Sequence, residues 1–288
     1  MKLTLLSGTL PSQSLIDGLK EEIKSLDPKL VIVQVGHDPA SDSYVKKKHE
    51  SCVRVGMRSE HIQLDQDVSE RQMYDLITRL NGDPDVSGYI IQLPLPSRLS
   101  AIQPLLFKAI DPMKDVDGFT AYNLGKMFLS QEFEHLPPAT PAGVIELLKF
   151  YEIPVEGKRV VIVGNSNIVG KPLAIMLLNR GATVTVCHDM TRDLPHETLQ
   201  ADILVSAAGV PDLISKDMVK TGAVVIDIGM TRTEEGLRGD VVFEEVSKVA
   251  SALTPVPGGI GPMTVACLLR NTVTAKKRQL QRMESSHN

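Results

Sequence analysis

The chain of 288 residues contains no tryptophan, and aromatic residues make up only 4% of it. Platforms that stack nucleic-acid bases need aromatic side chains, so single-stranded nucleic acid is a poor fit as a partner. A basic excess is missing too. The formal net charge is −4, which argues against nucleic acid and against an anionic membrane as the main partner. The three cysteines, Cys52, Cys187 and Cys267, are odd in number and far apart. They make no disulfide framework and no CxxC motif, which suits a reducing cytoplasm. No apolar run approaches the ~20 residues that cross a bilayer. The opening MKLTLLSGTLPSQ has neither a long apolar core nor a small-residue cleavage site. HExxH, a Cys/His cluster and G-x-S-x-G are all absent, so metallohydrolase and serine-hydrolase chemistry have no support and no metal site is expected.

What remains is a globular composition, 42% hydrophobic and 23% charged, on a chain longer than the ~100–200 residues of one domain. The pattern predicts two α/β domains. In the first, residues 29–36 form a β-branched strand closed by Gly36, a run suited to burial on both faces of a parallel sheet. A helix follows over 43–55 with Gly56 as its cap, then a strand at 61–64. Ser69 opens a helix that ends at Asn81-Gly82, and a strand at 86–93 is broken by Pro94 and Pro96. Near Pro137-Pro-Ala-Thr-Pro141 the pattern restarts, with Thr140 as N-cap and Pro141 at the first position of a helix over 142–151. Strands at 159–163, 182–186, 202–205, 223–228 and near 252 follow, with a helix at 168–179 and a last helix reaching about 278. This alternation implies parallel sheets with helices on their faces. The expected boundaries are 1–138 for a catalytic domain and 139–262 for a Rossmann-like domain, with the helix 263–281 packing back on the first. The polar tail 283–288 is expected to fray.

Four segments carry chemistry. Val160-Val-Ile-Val-Gly164 leads through Asn165, Ser166, Asn167, Ile168 and Val169 to Gly170-Lys-Pro172. That is a strand, a tight turn and a helix start whose free N–H groups would face a pyrophosphate. It departs from G-x-G-x-x-G, with Ser166 for the middle glycine and one extra residue. Asp189 lies 19 residues after Gly170, where an acid binds a ribose 2′-hydroxyl and favours NAD. Arg192 and Lys171 are suited instead to a 2′-phosphate, so cofactor choice stays open. Tyr44 and Lys48 in Tyr44-Val-Lys-Lys-Lys48 are four apart and share one helix face. A desolvated lysine there would lose basicity and serve as a base, although spacing alone favours a solvated basic face. Gln92 in Gln92-Leu-Pro-Leu-Pro96 puts an amide at a strand's carboxyl end, where open sheets bind ligands. Lys114-Asp115-Val-Asp117-Gly118 fails as a calcium loop, so its two carboxylates are turn formers or ligands for polar substrate atoms. Finally, Pro255-Val-Pro257-Gly258-Gly259-Ile-Gly-Pro262 is a rigid loop that lets backbone approach a ligand.

Taken together these segments resemble the bifunctional 5,10-methylenetetrahydrofolate dehydrogenase/5,10-methenyltetrahydrofolate cyclohydrolase family. The matching pieces are Tyr44-Val-x-x-Lys48, Gln92-Leu-Pro-Leu-Pro96, Lys114-Asp-Val-Asp-Gly-Phe119, Ala139-Thr-Pro-x-Gly143, Gly164-x-Ser-x-Ile-Val-Gly170-x-Pro172, Val184-Thr-x-Cys-His188, Asp227-Ile-Gly229 and Pro255-Val-Pro-Gly-Gly-x-Gly-Pro-Met-Thr264. The resemblance implies a homodimer that binds a tetrahydrofolate derivative in a cleft between its domains and uses NADP, less often NAD. It implies a place in tetrahydrofolate interconversion, one-carbon metabolism and purine biosynthesis. By the same resemblance Lys48 is the catalytic lysine, Gln92 hydrogen-bonds it, Tyr44 stacks on the pterin side, and Asp117 anchors the pterin amino edge. Pro257, Gly258 and Gly259 would close over the folate, while Gly164, Asn165, Ser166, Ile168, Val169, Gly170, Asp189, Met230 and Thr231 would hold the dinucleotide. Many family members carry Arg at the position of Asn165 and Ser at that of Asp189, and both differences lean towards NAD. The alternatives are a cyclohydrolase-only member of the same family, another two-domain dehydrogenase such as one acting on shikimate, and a non-catalytic dinucleotide-binding protein.

Overall fold

The computed structural model describes residues 2–234 and 236–285. Its strands, in chain order, are β1 (Thr4–Leu5), β2 (Lys29–Val35), β3 (Arg58–Leu64), β4 (Gly88–Ile91), β5 (Arg159–Val163), β6 (Thr183–Cys187), β7 (Ile203–Ser206), β8 (Val224–Asp227), β9 (Thr231–Thr233), β10 (Gly236–Arg238) and β11 (Ala252–Leu253). Five helices bear on the sites: α1 (Pro39–Val55), α2 (Glu70–Gly82), α3 (Ala139–Phe150), α4 (Gly170–Leu178) and α5 (Ile260–Ser285). Residues 286–288 of the polar tail lie outside the described residues, and α5 runs to Ser285. The chain divides into two compact units. One comprises the described residues of Met1–Gln13, Met127–Gln131 and Thr140–Thr264, the other those of Ser14–Lys126, Glu132–Ala139 and Val265–Asn288.

The second unit is built on a parallel sheet in the order β3-β2-β4. Central β2 is buried along almost its whole length, as its continuous Val/Ile/Leu run requires. Its odd-numbered residues Val31, Val33 and Val35 join Met73, Ile77 and Leu80 of α2 in one apolar core, each worth about 1.5–3 kcal/mol when buried. Opposite positions, Leu30 and Ile32, face the other side of the pleat and are equally buried. Helix α2 starts where Ser69 predicts, with a full capping box between Ser69 and Gln72. Helix α1 begins four residues before its expected start, because Asp38 accepts the Ser41 N–H at 2.8 Å and caps it there. Gly56, at φ 76°, ends it as expected.

The first unit is a wholly parallel six-stranded sheet in the order β1-β11-β8-β7-β5-β6, with an antiparallel hairpin β9–β10 beside it. After β5 the chain moves outward to β6 and then returns to the other side of β5 as β7. The carboxyl end of β5 is thus the switch point at which open α/β sheets bind ligands. The two-residue strand β1 pairs with β11 through Thr4↔Ala252 and Leu5↔Leu253, so chain order alone places residues 1–13 differently from the fold. Thr140 is no N-cap. Helix α3 begins at Ala139, and the Thr140 hydroxyl lies 3.1 Å from that of Thr264. Among the described residues no helix is long and apolar enough to cross a membrane.

Candidate active site

Lys48 lies on α1 one turn after Tyr44, and the two share a face of the helix as the spacing requires. Lys48 is only 8% exposed, while its neighbours Lys46 and Lys47 are exposed. The solvated basic face favoured by spacing alone therefore holds for those two and fails for Lys48, whose side chain turns towards the sheet. Its Nζ donates to Gln92 Oε1 at 2.9 Å. Gln92 follows β4, and its N–H extends the ladder by bonding to Val33 O at 2.8 Å. Its own Nε2 donates to Leu93 O at 2.6 Å, which fixes the amide so that its oxygen faces the amine. Burial lowers the Lys48 pKa, and the nearby Asp117 charge opposes that shift. Asp117 moves the other way: burial pushes its carboxyl up to about 6, against the pull of Lys48 and with a contribution from Asp115. Burial thus moves the two pKa values towards each other, which suits a proton-transfer site. Half-buried Tyr44 has its hydroxyl pKa raised by burial, and the Lys47 ammonium sits 5.9 Å from its ring centroid.

The segment carrying Asp117 is held by a residue read from sequence as a turn former or ligand. Asp115 is 1% exposed. Its Oδ1 accepts the N–H groups of Gly118 and Phe119 at 2.9 and 3.0 Å, and its Oδ2 accepts Thr120 N–H and Asn123 Nδ2, both at 2.8 Å. Four donors on one buried carboxylate make it the organiser of the turn, the structural role that Gly118 suggested. The same segment runs beside β4, where Tyr89 N–H donates to Lys114 O at 3.0 Å. From α5, Asn271 Nδ2 donates to Val116 O at 2.9 Å and to Pro137 O at 2.8 Å. Buried Lys114 donates to Leu80 O at 2.8 Å and to Asp83 O, capping the end of α2. The Asp115 turn is local, but the contacts of Tyr89, Asn271 and Lys114 were not legible beforehand, because their partners lie tens to more than a hundred residues away.

In the six-stranded unit, Gly164 leaves β5 at φ 122°, and the chain returns to start α4 at Gly170. A Cβ on Gly170 would lie 1.9 Å from the Gly164 carbonyl oxygen, so only glycine lets the helix start abut the turn. The first N–H groups of α4 are not free as expected. Ser166 Oγ accepts those of Val169 and Gly170 at 3.1 and 3.4 Å, and Ser166 O accepts that of Lys171 at 3.1 Å. Asn165 is exposed, and Ile168 and Val169 are half-buried. Lys171 Nζ is engaged by Asn167 Oδ1 at 2.8 Å. Asp189 follows edge strand β6 with its side chain 95% exposed, 3.7 Å from His188 Nδ1. Thr231 Oγ1 donates to Gly209 O at 3.2 Å, and Met230 precedes it, half-buried. A narrow glycine turn at the switch point, with polar groups at its surface, fits the phosphates and riboses of a dinucleotide. In the same unit, Gly258 O accepts the N–H of Gly8 at 2.8 Å, while Pro257 is exposed and Gly259 buried. Residues 7 and 8, to which no function was assigned, therefore brace this loop, and Ser7 O is itself held by the Tyr151 hydroxyl at 2.9 Å.

Two family models match the chain. Residues 6–117 match the catalytic domain of tetrahydrofolate dehydrogenase/cyclohydrolase, and residues 138–280 match its NAD(P)-binding domain. A Bifunctional protein FolD of Methanosarcina mazei is 50% identical over 260 residues, 90% of this chain and 89% of that protein. The crystal structure of the bifunctional enzyme FolD, methylenetetrahydrofolate dehydrogenase/cyclohydrolase, from Campylobacter jejuni superposes with a TM-score of 0.92 at 46% identity, covering 96% of this chain and 99% of that one. The Trypanosoma brucei enzyme complexed with NADP cofactor and inhibitor gives a TM-score of 0.92 at 33% identity, covering 97% and 99%.

Proposed function

The chain belongs to the tetrahydrofolate dehydrogenase/cyclohydrolase family, and from that premise we propose that it oxidises 5,10-methylenetetrahydrofolate with a nicotinamide dinucleotide and hydrolyses the methenyl product to 10-formyltetrahydrofolate. The observation that carries this reading is the 2.9 Å contact from the buried Lys48 amine to the fixed Gln92 amide. The glycine turn after β5 and the Lys48 site are both present in this chain, as a bifunctional enzyme requires.

The turn at residues 164–170, with Asn165, Ser166, Ile168, Val169, Asp189, Met230 and Thr231, would hold the dinucleotide. When bound, it would supply the acceptor for the hydride of the methylene carbon. The remaining chemistry belongs to the chain. Oxidation leaves a methenyl cation, and water adds to its electrophilic carbon. Lys48, made less basic by burial, takes the proton from that water as the C–O bond forms. Gln92 is uncharged, so it orients the amine without raising its pKa as a carboxylate would. Collapse of the adduct breaks one C–N bond of the bridge, opens the ring and leaves the formyl group on the other nitrogen. Asp117 accepts the donor-rich amino edge of the pterin, and Tyr44 packs against its rings.

NADP is the cofactor by family, and Asp189 keeps NAD in competition, since an exposed carboxylate at the end of β6 suits a ribose hydroxyl better than a phosphate. The working form is a homodimer in the cytoplasm, with no nucleic-acid or membrane partner. The three free, buried cysteines and the net charge of −4 support that setting. The formyl product would supply one-carbon transfer, including purine biosynthesis. Lys48→Ala tests the reading: methenyl hydrolysis is expected to be lost while calorimetric binding of the dinucleotide is unchanged. Retained hydrolysis in that variant would sink the assignment of Lys48.

A further inference from the structure

In the six-stranded unit, the loops leaving β7 and β8 converge on two buried carboxylates outside the hydrolytic site. Asp240 is wholly buried and Asp227 is 3% exposed. Asp240 Oδ2 accepts three hydrogen bonds from the end of β7 and the loop after it: Ser206 Oγ at 2.9 Å, Ala208 N–H at 2.7 Å and Gly209 N–H at 3.2 Å. The Asp240 N–H donates to Asp227 Oδ1 at 3.1 Å, and Val241 N–H donates to Asp227 Oδ2 at 3.0 Å. Asp227 is anchored in turn through its N–H, which donates to Thr254 Oγ1 at 2.7 Å. The loop after β8 joins the cluster twice. Thr231 Oγ1 donates to Gly209 O, and Gly229 lies flush against Asp240, where a Cβ would stand 1.9 Å from Oδ1. That Oδ1 has no hydrogen-bond partner among the described residues.

A carboxylate buried with one oxygen unpartnered is a costly way to brace a loop, so its placement points to function. The loop it holds abuts the glycine turn. Ala207 N–H donates to Val163 O at 2.7 Å, and a Cβ on Gly164 would lie 2.3 Å from Ala207 O. A dinucleotide lies across the switch point with one mononucleotide on each side. Here β6 and Asp189 flank β5 on one side, and β7 and β8 lie on the other. The loops tied by Asp240 are therefore on the side away from the ribose-binding acid, where the nicotinamide mononucleotide belongs.

We propose that Asp240 is a positioning residue for the nicotinamide half of the dinucleotide, holding residues 206–209 and 229–231 at the spacing that half requires. The proposal rests on the family reading of the cofactor. It is tested by calorimetric titration of the wild type, Asp240→Asn and Ser206→Ala. The ligands are NADP and NAD, alongside adenosine 2′,5′-bisphosphate and AMP, which carry only the adenine half. Thermal unfolding of the same samples confirms that each is folded. Asp240→Asn is expected to weaken the whole dinucleotide about tenfold or more and the adenine fragment less than about twofold. Ser206→Ala removes one of the three bonds, leaves the carboxylate in place, and is expected to weaken the dinucleotide about threefold. If Asp240→Asn does not fold, Ser206→Ala carries the test alone. Equal loss for fragment and whole dinucleotide would mean a general structural role and overturn the proposal. So would unaltered affinity in both variants while the wild type binds tightly. A wild type that binds no dinucleotide would overturn the cofactor reading, and the proposal with it.

Discussion

Gln92→Glu changes one atom group in the site and reverses its electrostatics. The new carboxylate oxygen would lie about where Gln92 Oε1 lies, 2.9 Å from Lys48 Nζ. At an effective dielectric of about 20, two unit charges at that distance attract by about 6 kcal/mol, equivalent to about 4 pKa units. Side-chain relaxation and the residual exposure of the site reduce this, but the direction stands: the Lys48 pKa rises. Only the neutral amine can take a proton from water. Below the raised pKa the fraction in that form drops tenfold per unit, so methenyl hydrolysis at pH 7 should fall by about tenfold or more. The loss should shrink as pH rises, because the ionised lysine regains its base form. A pH–rate profile of methenyl hydrolysis, followed by loss of the methenyl chromophore, reads this directly. An unshifted profile with wild-type rate at pH 7 would refute the claim that Lys48 acts as a neutral base tuned by an uncharged neighbour.

Asp115→Ala strips three backbone N–H groups and the Asn123 amide of their shared acceptor. A stability loss of about 3 kcal/mol or more is expected by chemical denaturation, with a raised KM for folate because Asp117 is no longer held. Gly170→Ala forces a Cβ to within 1.9 Å of the Gly164 carbonyl. Dinucleotide binding and dehydrogenase turnover should collapse while methenyl hydrolysis, whose base Lys48 lies in the other unit, persists. Asp227, with its carboxyl pushed up to about 7 mainly by burial, binds its proton more tightly folded than unfolded. Relative to Asp227→Asn, the wild type should therefore gain stability as pH falls from about 7 towards 4, by up to about 1.4 kcal/mol per unit. Denaturation curves of the two proteins across that range would contradict this if their difference were flat or rose with pH.

The parts of the fold written in local pattern were legible. Continuous β-branched runs marked β2, β5 and β7, and Ser69 marked the start of α2 through its reciprocal bonds with Gln72. Lys48 and Tyr44 shared a face because helix geometry demands it, and the family resemblance brought Gln92 to Lys48. What pattern could not supply was non-local. Strand β1 has two residues and exists because β11 offers it an edge. Whether Lys48 faced water or the sheet depended on β2 and β4, neither of which α1 can specify. Asp115 read as a turn former or ligand, Asp227 as the end of a strand and part of a family-like motif, and Asp240 carried no reading at all. Their burial follows from chain segments arriving from elsewhere, such as Asn271 reaching Val116 across 155 positions. Ser166 looked like a substituted glycine, and its role as the cap for Val169 and Gly170 needed the turn's actual path.

The central claim is that one chain carries both an oxidation and a hydrolysis, the first through the turn after β5 and the second through Lys48. It is tested most directly by giving the purified protein 5,10-methylenetetrahydrofolate with NADP and, in parallel, with NAD, and measuring reduced dinucleotide and 10-formyltetrahydrofolate in the same samples. Reduction is expected with at least one dinucleotide, followed by formyl product in equal amount. The faster dinucleotide shows whether Asp189 or the family's habit sets the preference. Absence of reduction with both dinucleotides, or reduction with methenyl product that is never hydrolysed faster than in buffer, would contradict it.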